Sequence, residues 1–154
     1  MKSSLHRRDV LRASTAAVVG GLAGCSNPFG SDIEFDDSVP ETVADHLSGA
    51  NNVDGSLTDL TGQSEVTIDV GANGSFAYGP ALARVSTGTT VTWEWQTSGH
   101  TVTSESTPGD SFDSGLSNTG STFEQTFEQA GNVLYVCEPH RSQGHRGALV
   151  VDSQ

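Results

Sequence analysis

The sequence predicts an all-β fold, an antiparallel Greek-key β-sandwich of about seven to eight short strands. Three observations lead there. From Glu65 onward, apolar and polar residues alternate with period two. Glycine turns at Gly71–Gly74, Gly88, Gly109, Gly115, Gly120 and Gly131 break that alternation into short runs. No heptad, internal repeat or glycine-rich phosphate loop competes with this pattern.

The first 24 residues read as an address. Arg7-Arg8 is a twin-arginine pair, and the run from Ala13 to Gly24 is uncharged. As a helix that run would reach only about 18 Å, short of a bilayer core of about 30 Å, so it reads as a signal-peptide core rather than a membrane span. Leu22-Ala23-Gly24-Cys25 resembles a lipobox, which makes Cys25 the expected lipid attachment point and first mature residue. Residues 25–52 then read as an acidic, lipid-anchored tether, and residues 53–154 as the folded domain. Within the tether, Glu41 to Leu47 suits a short helix, with Pro40 at its start and Gly49 beyond its end. Asn51 to Ser56 is turn chemistry.

In the domain, EVTIDV (Glu65–Val70) places Val66, Ile68 and Val70 on one face, and TTVTWEW (Thr89–Trp95) does the same for Val91, Trp93 and Trp95. Further strands are predicted at Leu82–Val85, His100–Thr103, Thr122–Phe127, Val133–Cys137 and Ala148–Val151. A domain of this size has a small core, so Trp93, Trp95, Phe123, Phe127 and Tyr135 must supply much of its buried area.

Charge narrows the function classes. The whole chain carries a net charge of −12. The signal contains four of the bases, which leaves only Arg84, Arg141 and Arg146 against 18 acids in the remainder. Such a surface excludes nucleic acid as a partner and suits a protein kept hydrated in strong brine. There the Debye length is about 3 Å at 1 M salt, and long-range steering vanishes. Arg141 and Arg146 flank one loop near the C-terminus. They read as counter-charges, or else as a basic spot that orients an acidic redox partner.

That loop carries the chemistry. In CEPHRSQGH, Cys137 precedes His140 by three residues and His145 by eight. It lies between two predicted strands, and His100, following Ser98-Gly99 at the start of another, can meet it. With Cys25 lipidated, Cys137 has no disulfide partner, and a bound metal would protect it. Two imidazoles, a thiolate and a weak axial donor form the blue-copper pattern, with a deprotonated thiolate and neutral imidazoles. One cysteine and three histidines also make a closed, redox-silent zinc site. A Cys/His hydrolase needs the same residue types, but nothing supplies a recognisable oxyanion hole. His46 reads as an ordinary histidine of the polar segment.

At these residues the chain resembles the halocyanins, blue copper proteins of the plastocyanin-like cupredoxin family. The likeness runs over about residues 53–151, through DVGANGSFAYGPALARVSTGTTVTWEW, GHTVTSE, FDSG and YVCEPHRSQGHRGALVV. It implies an eight-stranded sandwich with one copper ion, and one-electron shuttling at the outer face of the membrane. Membrane redox proteins would be donor and acceptor, and the tethered carrier would be monomeric. It places the ligands at His100, Cys137 and His140, and the axial methionine position falls on His145.

Two positions depart from the family. Thr101 stands where an asparagine usually helps to hold the sulfur, which puts one hydrogen bond in doubt. Beside it in this supporting role stands Pro139, in the ligand loop. Met1 is the chain's one methionine, so no thioether can serve after processing. Three outcomes follow for His145: a firmer fourth ligand, a ring swung out with water or a carbonyl as weak donor, or part of a zinc site. As a ligand it should lower the reduction potential and shift the geometry from trigonal towards tetragonal or tetrahedral. It should also make the colour sensitive to acid between about pH 8 and 5, around the free-imidazole pKa.

Overall fold

The computed structural model describes residues 33–154. The signal, Cys25 and the first tether residues lie outside the described residues. The elements are α1 (Glu41–Leu47), β1 (Thr58–Asp59), β2 (Glu65–Val70), β3 (Tyr78–Gly79), β4 (Leu82–Ser86), β5 (Thr89–Trp95), β6 (Thr103–Ser106), β7 (Thr122–Phe127), β8 (Gly131–Val136) and β9 (Arg146–Asp152). A 3-10 turn, Glu138–Gln143, joins β8 to β9.

Two sheets face each other, one ordered β1-β4-β9-β8-β6 and the other β3-β2-β5-β7. Period-two patterning does what the sequence predicts of it: Val66, Ile68 and Val70 of β2 and Val91, Trp93 and Trp95 of β5 point inward. Register pairs them directly, Val66 with Val91, Ile68 with Trp93 and Val70 with Trp95. Trp93, Tyr135, Phe112 and Phe127 pack between the sheets, mostly edge-on or tilted. Of the expected core aromatics, only Phe123 is half-buried rather than buried.

The structure corrects several expectations. The sandwich is not purely antiparallel: β1–β4, β2–β5 and β4–β9 run parallel. A parallel pair needs a crossover. Here the chain leaves β2 and β3, crosses to the other sheet as β4, and returns as β5 beside β2. Strand alternation carries no direction, so sequence alone could not show this. Nine strands stand among the described residues rather than seven or eight, because the two-residue β1 and β3 are too short to alternate. The strand expected at His100–Thr103 begins at Thr103, and His100 sits ahead of it in an isolated bridge with Ser117. The strand expected at Val133–Cys137 runs from Gly131 to Val136, so Cys137 opens the ligand loop.

Residues 39–50, which the sequence reading assigns to the tether, pack on the sandwich. The expected helix forms, and Val39, Val43, Leu47 and Ala50 make a second core with Leu82, Ala148 and Val150 on the outer face of the β4–β9 pair. This explains why β9 is buried at successive positions instead of alternating: α1 covers one face and the sandwich interior the other.

Candidate metal centre

All four predicted ligand residues meet at one pole of the sandwich. One donor atom each from His100, Cys137, His140 and His145 lies within 4.8 Å of all the others. His100 Nδ1 and His140 Nδ1 are 3.1 Å apart, and Cys137 Sγ lies 3.3 Å from His140 Nδ1 and 3.7 Å from His100 Nδ1. Two donors each bonded to one ion at about 2.0–2.3 Å stand roughly 3.3–3.7 Å from each other at tetrahedral to trigonal angles. The His100, Cys137 and His140 donors therefore suit a single metal ion, while separations of up to 4.8 Å within the set of four exceed that range.

Each donor is aimed by its surroundings. His100 Nε2 and Thr97 Oγ1 share a hydrogen bond at 2.8 Å, which pins the ring with Nδ1 towards the cluster. The Trp95 indole N–H holds the His100 carbonyl at 3.0 Å. The ligand loop is closed on itself: Cys137 N–H donates to the His145 carbonyl, His140 N–H to the Cys137 carbonyl and His145 N–H to the His140 carbonyl, at 3.0, 3.1 and 3.3 Å. Pro139 sits in the first turn of the 3-10 segment, where its missing N–H costs nothing.

Thr101 resolves the doubt about the sulfur. Its backbone N–H donates to Cys137 Sγ at 3.4 Å, and its hydroxyl oxygen accepts the Glu138 N–H at 2.9 Å. The main chain supplies the sulfur contact, and the threonine side chain ties the ligand loop to the His100 segment.

His145 is fully buried, and neither ring nitrogen makes a hydrogen bond of good geometry, the Ala77 carbonyl exerting only a weak pull. Its ring lies 4.3 Å from that of Tyr78 and 4.8 Å from that of His100. A buried imidazole with both nitrogens unpaired is costly unless something binds it. Burial first, then the neighbouring His100 and His140, push its pKa down to about 3, against a weaker pull from the Ala77 carbonyl. Burial likewise lowers His100. The His100 and His145 imidazoles are thus held towards the neutral form that a metal requires. In the metal-free chain the buried His145 ring titrates below the free-imidazole window of about pH 8 to 5.

Burial also raises the Cys137 thiol, against the Thr101 and His140 backbone N–H groups. A buried thiol with a raised pKa lacks the activation that the hydrolase reading needs. The two flanking arginines are both engaged within the chain: Arg141 pairs with Glu105, and Arg146 donates to the His46 and Ser48 carbonyls at 3.3 and 3.4 Å. Three contributors escaped the sequence reading: Thr97, Asn51, and Phe76, whose ring lies flat on that of His140 at 4.1 Å. A hydroxyl three residues before His100 was the one local signal; the other two are brought in by tertiary packing.

The profile of the family described as "Copper binding proteins, plastocyanin/azurin family" matches residues 64–152. Halocyanin from Natronomonas pharaonis is 43% identical over 163 residues, covering 99% of this chain and 100% of that one. Among solved structures, an oxidised amicyanin variant aligns with a TM-score of 0.50 at 24% identity, covering 58% of this chain and 84% of that one. A purple cupredoxin from Nitrosopumilus maritimus is 29% identical with a TM-score of 0.48, over 56% of this chain and 99% of that one. With the profile running unbroken from β2 to β9, the chain belongs to the plastocyanin/azurin family of copper-binding proteins, and its cofactor is a single copper ion.

Proposed function

We propose that this protein shuttles single electrons at the outer face of the cell membrane, with His100, Cys137 and His140 as copper ligands and His145 as the fourth donor. Family membership makes the chain a copper-binding electron carrier. One observation carries the finer reading: His145 is buried, neutral and unpartnered on both ring nitrogens, beside three other donors. Bound copper supplies one-electron chemistry between Cu(I) and Cu(II). The chain's part is to keep the cage still. Thr97 orients the His100 ring, Thr101 joins the two ligand segments, and the His100 and His140 Nδ1 atoms face each other at 3.1 Å. His140, the one ligand residue that is not fully buried, offers its edge as the electron's way in and out.

Adding Cu(II) to metal-free protein tests the ligand set. The expected result is an intense thiolate-to-copper absorption that saturates at one equivalent and protects Cys137 from alkylation. His145→Ala should change both the absorption and the electron paramagnetic resonance spectrum. Spectra identical to the wild type would show that the ring is no ligand. Zinc without copper in protein purified from its source would favour the redox-silent alternative. For location, we infer that residues 1–24 direct twin-arginine export and that Cys25 carries lipid, leaving a monomeric carrier to exchange electrons with membrane redox proteins. Cys25→Ser should then move the protein from the membrane fraction to the medium; unchanged membrane association would contradict the anchor.

A further inference from the structure

The turn between α1 and β1 reaches the copper pole through one amide. Asn51 Nδ2 donates to the Phe76 carbonyl at 2.8 Å and to the Gln143 carbonyl at 2.6 Å. Its backbone N–H donates to the Gly144 carbonyl at 2.8 Å. Three bonds from one residue thus join the β2–β3 loop to the stretch between His140 and His145. The fit is close. Gly144 has φ 84°, and a Cβ there would stand 2.7 Å from the Gly49 carbonyl oxygen and 3.2 Å from the Asn51 side chain. Only glycine lets the turn sit directly on the ligand loop.

The other end of the amide's grip determines where Phe76 lies. That ring is stacked on His140 with centroids 4.1 Å apart and planes 16° from parallel, and it meets His100 edge-on at 6.1 Å. Yet Phe76 is 39% exposed, so burial alone does not hold it there. Its backbone does, through Asn51.

We propose that Asn51 is a positioning residue of the metal centre: it clamps Phe76 over His140 and holds Gln143-Gly144 shut, so the turn after α1 stiffens the ligand cage. This rests on the reading of His140 as a ligand. Loss of the clamp lets the loop open locally, exposing a thiol that is fully buried when it is closed.

The test begins with metal-free protein and the rate at which a thiol reagent labels Cys137. Two side-chain hydrogen bonds with ordinary net worth predict about a tenfold faster rate for Asn51→Ala. Asn51→Asp, which keeps the shape but loses both donors, should do the same. Thermal midpoints close to the wild type would mark the opening as local. In copper-loaded protein both variants should broaden the paramagnetic resonance lines, as a looser cage samples more geometries. Phe76→Leu should alter that spectrum while leaving labelling slow, since it removes the stack but spares the clamp. Labelling within twofold of the wild type in both Asn51 variants would overturn the proposal. So would acceleration fully accounted for by a matching loss of global stability. Absence of a thiolate–copper band in the wild type would refute the ligand reading instead, and the labelling rates would still decide the clamp.

Discussion

Two histidine pockets lie close together in this protein and show opposite chemistry. His46, on α1, is held by two backbone carbonyls. Its Nε2 donates to the Tyr135 and Gly147 carbonyls, both at 3.1 Å, and its Nδ1 lies 3.2 Å from a Glu105 carboxylate oxygen. His145 is buried at least as deeply and makes no such bond. Both act within two residues of the same ends of the ligand loop, since Tyr135 precedes Cys137 and Gly147 follows His145 by two positions. A saturated imidazole is a pin that fastens α1 to β8 and β9. An unsatisfied one, facing a thiol and two further imidazoles, is the fourth donor that we propose for the copper. Burial does not separate the two roles; the hydrogen-bond account does.

The largest expected effect comes from replacing each ring by leucine in metal-free protein. His46→Leu leaves two carbonyls without their donor and should destabilise by about 2 kcal/mol. His145→Leu removes two unpaired buried nitrogens and should stabilise by about 1–2 kcal/mol while destroying copper binding. Denaturant melts measure both. Equal destabilisation by the two changes would break the contrast.

Acid sharpens it next. His145 titrates at about 3 in the folded chain, below the ordinary 6.5. Between those values the unfolded chain takes up a proton that the folded one refuses. The stability that rests on a neutral His145 is therefore complete above pH 6.5 and is lost as pH falls towards 3. The slope from this one group is about 1.4 kcal/mol per pH unit at its steepest. Subtracting the His145→Leu profile from the wild type isolates it from carboxylates that protonate in the same range. A flat difference curve would contradict the neutral buried ring.

A smaller effect belongs to Thr97. Thr97→Val removes the hydroxyl that holds His100 Nε2 and frees the ring to turn, so copper affinity should drop about tenfold by competition with a chelator. An unchanged affinity would mean that packing alone orients His100.

These contrasts also show what a linear reading of the chain can and cannot reach. The four site residues were legible because Cys-x2-His, a following His and an upstream Gly-His are local patterns. The long strands were legible because burial on one face imposes alternation. The parallel pairings were not, since direction depends on which sheet the intervening strand joins. Asn51 read as turn chemistry and His46 as an ordinary polar-segment histidine. Their partners lie 92 and 101 residues away, and no local spacing records such a contact. The depressed titration of metal-free His145 was out of reach for a related reason: sequence shows an imidazole, but only packing shows how dry its surroundings are.

Pulsed paramagnetic resonance on Cu(II)-loaded protein, with histidine nitrogens isotopically labelled, tests the ligand set most directly. Three strongly coupled imidazole nitrogens are predicted in the wild type and two in His145→Ala. Two in both proteins would contradict the claim that the buried, partnerless ring completes the copper cage.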